Sequence, residues 1–421
     1  MSSKKVWWAT AGLLLIASLL LPACAPAELE VVEREVEVEV EVTRVVEVES
    51  EPETVVVTAT PEPEQETPLP DTIRIGVLDS LTGPHSAYGL GSYDGWKLAA
   101  KLHPEVLGRP IELVPMDTKS DKAESALAAE RLVEEDVVAV LGTTTSSFSM
   151  AANEVFGEFG LPSVSGASTN PLVTMDKPYA FRTCFIDPFQ GAVLARFAVE
   201  ELEAKTAVLL VEITSDYSVG LANYFREEWY NLTGDKDSLL GYYSCMYGDT
   251  DFTGQLRAIK DLNPDVIMAP DDYKEVGLMV QQARDLGITA KFLCGDGVDI
   301  PEFAEIAGPA VDSVYFSGHF HPDAPVGDIS KEFIEGFRAE YDREPDTMGA
   351  TAYDAYLVLR DAIERAGSVD GDAIRDALAA TEGFEGATGY ISMDSQGNAV
   401  KSAVVMGFED QQKYLVAVIS P

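Results

Sequence analysis

Residues 136–156 read DVVAVLGTTTSSFSMAANEVF, and the fold turns on how they are read. Val137 to Leu141 make a short, continuous, Val-rich run, the mark of a strand buried on both faces of a parallel sheet. The run stops at Gly142. Six hydroxyl residues follow: Thr143, Thr144, Thr145, Ser146, Ser147 and Ser149. A helical pattern of Met150, Ala151, Ala152, Val155 and Phe156 then begins. One Ser or Thr would cap the helix. Six suggest that something binds where the strand hands over to the helix.

Outward from this junction, strand and helix signals alternate from DTIRIGVLDSLTG at residue 71 onward. Strands are expected at IRIGVL, IELVPM, VVAVLG, PSVSG, AVLLVEI, DVIMAP, KFLCG and SVYFSG. Helices are expected at YDGWKLAAKL, KAESALAAERLVEE, GAVLARFAVEELEA and YKEVGLMVQQARDLG. This rhythm predicts parallel sheets with helices on both faces. The span is too long for one modest open sheet, so two doubly wound α/β lobes are expected.

Open parallel sheets bind ligands beyond the carboxyl ends of their strands, where strand order reverses. The two halves of the chain differ there. In the first, VVAVLG leads to the six hydroxyls, PSV to SGASTNP, and RIGVLDS to LTGPHSAYG with Tyr88. In the second, AVLLVEI leads to TSDYSVG, DVIMAP to DDYKE and KFLCG to DGVD. Hydroxyls and helix N–H groups suit a carboxylate; Asp and Tyr suit an ammonium. A cleft between such lobes would complement a zwitterion, an α-amino acid. Each piece alone is weak, since hydroxyls at strand–helix junctions are commonly caps and loop Asp residues are commonly solvated. The partition between the halves is what points to a ligand.

The 421 residues allow two or three domains, and 46% hydrophobic content supports a sizeable core. The formal net charge is −41, from 71 acidic against 30 basic residues, with no local basic cluster. That field argues against nucleic acid and anionic lipid headgroups as partners. Lys4 and Lys5 precede VWWATAGLLLIASLLLPAC, an export signal too short for a comfortable membrane span. An ordinary secretory peptide with an incidental Cys24 is the alternative to lipidation. Residues 24–70 are Val/Glu- and Pro/Glu-rich and carry about a dozen net negative charges, which predicts an extended tether; a β-strand docked on a partner is the rival reading. Cys184, Cys245 and Cys294 allow at most one disulfide. Their spacing fits no zinc motif, and burial as small hydrophobes is expected.

At the strand ends the chain resembles the type I periplasmic binding proteins of the leucine/isoleucine/valine-binding family, extracytoplasmic receptors of ABC importers. The resemblance runs from about Asp71 to the C-terminus. It rests on IRIGVLDSLTGPHSAYG, VVAVLGTTTSSFSMAANEVFGEFGLPSVSGASTNPLV, FRTCFIDPFQG and VIMAPDDYKEVGLMVQQARDLGI. Leu21-Pro22-Ala23-Cys24 likewise resembles a lipobox, with Pro22 an unusual choice.

The resemblance implies residues 1–23 as a lipoprotein signal peptide, with Cys24 the lipidated residue. It implies one lobe from 71–188 and 319–403 and a second from 189–318 and 404–421, with hinge crossovers near Asp187, His319 and Val404. Ser146 and Thr169 would hold the ligand carboxylate through hydroxyls and N–H groups, with Thr145 and Ser168 beside them. Ala167 would accept the ammonium through its backbone. Tyr217 and Asp296 would face the ligand head, Asp296 pairing with the ammonium, and Tyr88 would wall the side-chain pocket. The family further implies no catalysis, no cofactor, an amino-acid ligand, a permease partner, a membrane anchor and a monomer.

Departures bear on the ligand. Thr144 and Thr145 replace an apolar residue and a Cys, and Asp272 replaces a tyrosine. A buried polar group left unpaired against an aliphatic side chain costs about 1–3 kcal/mol, so a ligand more polar than leucine is an expectation beside the branched-chain one. Urea, short amides, small organic acids or a ligand-sensing receptor module are the alternatives. Four histidines are a meagre supply for acid–base chemistry. HFHP has metal-like spacing but no further ligand nearby. GLGSYDG lies too far after its strand to be a dinucleotide fingerprint.

Overall fold

The quoted run forms a four-residue strand at Ala139–Gly142, every residue of it buried. It is two residues later at its start and one later at its end than the apolar run suggests. The computed structural model describes residues 69–421; the signal segment, Cys24 and the acidic tether fall outside the described residues.

The first sheet contains β1 (Ile73–Asp79), β2 (Glu105–Val106), β3 (Arg109–Asp117), β4 (Ala139–Gly142), β5 (Ser163–Ser165) and β6 (Ala180–Arg182), in the order β2-β3-β1-β4-β5-β6. β1 pairs in parallel with β3 on one side and β4 on the other, with Val77 opposite Pro115 and Leu141. Strand order therefore reverses beside β1. The second sheet contains β7 (Ala207–Glu212), β8 (Leu239–Cys245), β9 (Val266–Met268), β10 (Lys291–Cys294) and β11 (Val314–Gly318), with β7 between β8 and β9. Order reverses beside β7 as well. Both switch points are where ligands bind in such sheets.

The C-terminal region departs from the all-parallel expectation. β12 (Phe384–Gly386), β13 (Gly389–Met393) and β14 (Ala399–Val400) form a small antiparallel sheet. β15 (Ala403–Glu409) extends the second sheet antiparallel to β11, and β16 (Gln412–Ile419) pairs antiparallel with β15 at its edge. A short turn at Asp410 and Gln411, both with positive φ, joins β15 to β16, and a hairpin of that length can only return antiparallel.

Helices cover both sheets: α1 (Ser86–Leu102), α2 (Lys122–Glu134), α3 (Ser146–Glu158), α4 (Asp187–Arg196), α5 (Asp216–Thr233), α6 (Thr253–Leu262), α7 (Tyr273–Asp285), α8 (Pro301–Ala307), α9 (Gly327–Tyr341), α10 (Thr347–Ala366) and α11 (Gly371–Ala379). Helix α10 is buried without a break from Thr347 to Leu359. It packs directly on α1, where a Cβ on Gly95 would strike the Gly349 carbonyl oxygen.

The chain crosses between sheets three times. It leaves the first after Arg182 and joins the second at Ala207. It returns after Gly318, since Phe320 and Phe333 belong to the first lobe's core. It crosses again between Ala399, in that core, and Ala403, in the second. Three crossovers joining two α/β lobes is the architecture the alternating pattern and the resemblance imply.

Candidate functional site

The six hydroxyls divide into four groups. Thr143 Oγ1 lies 2.7 Å from Ser149 Oγ, which lies 2.6 Å from Ser168 Oγ. Ser165 and Ser168 donate to the Thr143 carbonyl at 2.6 and 2.7 Å. This is a closed, buried network that ties β4 to β5 and the loop after it. Thr144 turns inward, donating to Asp79 Oδ2 at 2.5 Å with Ser92 Oγ at 2.9 Å. Ser147 reaches across the cleft to Asp216 Oδ2 at 2.9 Å. Thr145 and Ser146 remain. Thr145 occupies the N-cap position of α3 in extended backbone, yet its side chain makes no capping bond. Both residues line a cavity.

Gly142 makes this turn feasible. Its φ is +121°, and a Cβ there would strike the Leu78 carbonyl oxygen, so only glycine lets β4 pass so close to β1. The chain then turns into α3, whose first-turn amides at Ser146 and Ser147 have no carbonyl within the helix and suit an anion.

The cavity lies between the lobes and encloses about 360 Å³ of non-atom space, open solvent included. Tyr88, Thr144, Thr145, Ser146, Ala167 and Met348 line it from the first lobe. Ser215, Tyr217, Asp272, Asp296 and Gly297 line it from the second. Tyr88, Ala167 and Met348 are buried in one apolar cluster with second-lobe residues, so the cleft is closed.

Asp296 sits at one end, 3% exposed. Its Oδ1 accepts from Gln190 Nε2 at 2.8 Å and from the Tyr217 hydroxyl at 3.0 Å; its Oδ2 is 3.1 Å from His319 Nε2. Burial holds His319 below the ordinary imidazole range, outweighing the pull of Asp296. Burial thus favours the neutral ring, whose Nε2 faces the carboxylate. Among the described residues no Lys or Arg forms an ion pair with Asp296. A buried carboxylate met only by neutral donors can still accept a cation.

The far wall is polar in composition, and its Asp272 carboxylate and Tyr88 hydroxyl are paired within the protein. Asp272 Oδ2 lies 2.7 Å from His85 Nε2 across the cleft. The Tyr88 hydroxyl donates to the Gly297 carbonyl at 2.5 Å, with Asp272 Oδ1 at 3.4 Å. Burial opposes a charged His85, but Asp272, by charge and hydrogen bond, and Glu275 behind it outweigh burial and raise its pKa. The hydroxyl of Thr144 and the carboxylate of Asp272 thus already have protein partners. Neither is left unpaired against an aliphatic ligand.

Of the nine candidate ligand-binding residues, Tyr88, Thr145, Ser146, Ala167, Tyr217, Asp272 and Asp296 converge on the cavity. Ser168 is fully buried in the hydroxyl network. Thr169 is buried behind the wall, its hydroxyl without a partner, and its carbonyl accepts from the Asp187 amide at 3.0 Å. Residue types alone do not reveal Gln190, His319 or Asp187. Burial pushes the Asp187 carboxyl up to about 8, more than the neighbouring Thr169 hydroxyl lowers it. Cys184, Cys245 and Cys294 are free and buried. Among the described residues no cluster of three metal-ligating side chains exists, and no helix is long and apolar enough to cross a membrane.

A periplasmic binding protein family profile matches residues 72–411. The chain belongs to that family. This periplasmic binding protein is 29% identical over 339 residues to Leu/Ile/Val-binding protein homolog 1 of Brucella melitensis biotype 1, covering 79% of this chain and 89% of that one. Its structure is similar to the leucine-binding protein LivK of Thermotoga maritima, with TM-score 0.79, 41% identity and 83% and 99% coverage. It is also similar to LivJ of Streptococcus pneumoniae, a branched-chain amino acid transporter substrate-binding protein solved with isoleucine, with TM-score 0.78, 34% identity and 83% and 100% coverage. A benzoate-bound solute-binding protein of R. palustris, at 19% identity and TM-score 0.75, shows the shared fold alone.

Proposed function

We propose that the protein captures a free α-amino acid with an aliphatic, branched-chain type of side chain and presents it to the permease of an ABC importer. One observation carries this reading. Asp296, surrounded by neutral donors, faces Ser146 and the amide end of α3 across a cavity walled by Tyr88, Ala167 and Met348. An ammonium fits the first end, a carboxylate the second, and an apolar side chain the wall. The names of the similar proteins agree with this ligand class.

In the same proposal, residues 71–188 with 319–403 and residues 189–318 with 404–421 are the bodies that close. Lipidated Cys24 anchors the monomeric receptor outside the cytoplasmic membrane. Capture is without chemistry: the ligand contributes contacts that form only when both lobes engage it.

A thermal-shift panel of amino acids, urea, short amides and benzoate on the purified protein tests the reading. Leucine, isoleucine or valine at 100 times its dissociation constant should add about 2.7 kcal/mol of stability, and Asp296→Ala should remove that gain while remaining folded. Stabilisation by urea or benzoate but by no amino acid would overturn it.

A further inference from the structure

A second cavity lies at the hinge, between the crossover segment from His319 to Val326, the β12–β13 turn and the strand end at Val400 to Val404. It holds about 1130 Å³ of space between atoms. No Asp or Glu side chain lines it, in a chain with 71 of them. Its rim gathers Val326, Tyr390, Val400 and Val418, all large apolar side chains exposed to solvent. Scattered exposed apolar residues need no explanation; a cluster around one concavity does.

The cavity's wall carries Lys401, 3% exposed. Its Nζ donates to Thr388 Oγ1, and the Thr388 hydroxyl in turn donates to Asp354 Oδ2. Asp354 is already met by the Ala387 and Thr388 amides. Among the described residues no carboxylate reaches Lys401 within ion-pair distance, and two of its three N–H bonds find no acceptor. Buried charges are ordinarily paired. Burial pushes this ammonium down to about 8, against the more distant pull of Asp354. On the same wall stands His319, whose Nδ1 is buried without a partner while its Nε2 holds Asp296.

We infer that this hinge cavity is a second binding site, for a small amphipathic organic anion whose head meets Lys401 and whose apolar body lies against Tyr390, Val400 and Val418. The occupant would touch two of the three crossovers and, through His319, the ammonium end of the inter-lobe site. It is a modulator's position, separate from the cargo site.

Octanoate is the probe, titrated calorimetrically into the purified full-length protein. It should bind the wild type and the Ser146→Ala variant with the same affinity. Lys401→Met should weaken it at least ten-fold, and Tyr390→Ala, at an exposed position, several-fold. Circular dichroism checks that Lys401→Met folds; should it not, Tyr390→Ala and Val418→Asp decide the matter alone. Absence of octanoate binding, equal binding by the folded Lys401→Met protein, or undiminished binding by both rim variants overturns the inference. So does loss of octanoate binding in Ser146→Ala, which would place the probe between the lobes. None of these outcomes depends on which amino acid the inter-lobe site takes.

Discussion

Asp296 gathers partners that are remote in the chain: Gln190 is 106 positions away and His319 is 23. Strand ends and the family resemblance made Asp296 and Ser146 legible in the sequence. The supporting Gln190 and His319 were not, because a single chain shows no trace of which distant donor will face a carboxylate. Asp296→Asn keeps the shape and removes the charge. A charge-assisted hydrogen bond contributes about 1.5–3 kcal/mol, so calorimetry should show leucine affinity falling by about 10- to 150-fold. Asp187 makes a different prediction. Its folded pKa, raised to about 8, lies above the unfolded carboxyl value of 3.8, so the folded state holds a proton that the unfolded state gives up. The resulting stability is complete below pH 4 and is lost as pH climbs toward 8. Thermal melts of the empty protein should show that decline, and Asp187→Asn should flatten it.

At the scale of elements, the strand–hydroxyl–helix junction was readable, but the division of labour inside it was not. Hydroxyl count points to residues 143–149, yet of these only Thr144, Thr145 and Ser146 line the cavity. Thr143 and Ser149 bind their neighbours, and Thr144 is held by Asp79. Pairing of that kind depends on loops that meet only in the folded state. The same limit hid the contact between the loop before α1 and the start of α7, where His85 meets Asp272. Asp79, Asp272 and Glu275 supply negative charge around this imidazole and Lys274 opposes them, with Tyr88, Phe148 and Tyr247 as ring neighbours. The pKa is raised in the closed form, so the contact is complete below the ordinary imidazole value and lost as pH rises through the raised one. Leucine affinity should weaken several-fold across that interval, and His85→Gln should remove the dependence. The α1–α10 crossing is less forgiving. Gly95→Val would force the Gly349 backbone away, and overpacking of this kind costs about 1–3 kcal/mol, which denaturant melts would detect as a lowered midpoint with an unchanged slope.

For the whole molecule, the two-lobed α/β architecture followed from alternating strand and helix signals over residues 71–318. The C-terminal hundred residues were harder. The short strands β12 to β14 and the antiparallel pair β15 and β16 carry no parallel-sheet pattern. The closed arrangement of the lobes was not legible at all. Lys122 Nζ lies 3.3 Å from Asp216, Asn170 donates to the Asp216 carbonyl at 2.7 Å, and Lys274 donates to the Pro84 carbonyl at 2.7 Å. Each joins one lobe to the other. Small-angle scattering should find the empty Lys122→Ala, His85→Ala double variant more extended than the empty wild type, with leucine restoring the same compact form in both.

These bridges favour the shut shape whether or not cargo is inside. Under the proposed importer role, a transporter that recognises its receptor by outline alone would then also meet vacant receptors, and every such visit would occupy the permease without import. Tighter retention of solute and more frequent empty arrivals would thus rise together, set by the same few side chains at the lip of the cleft.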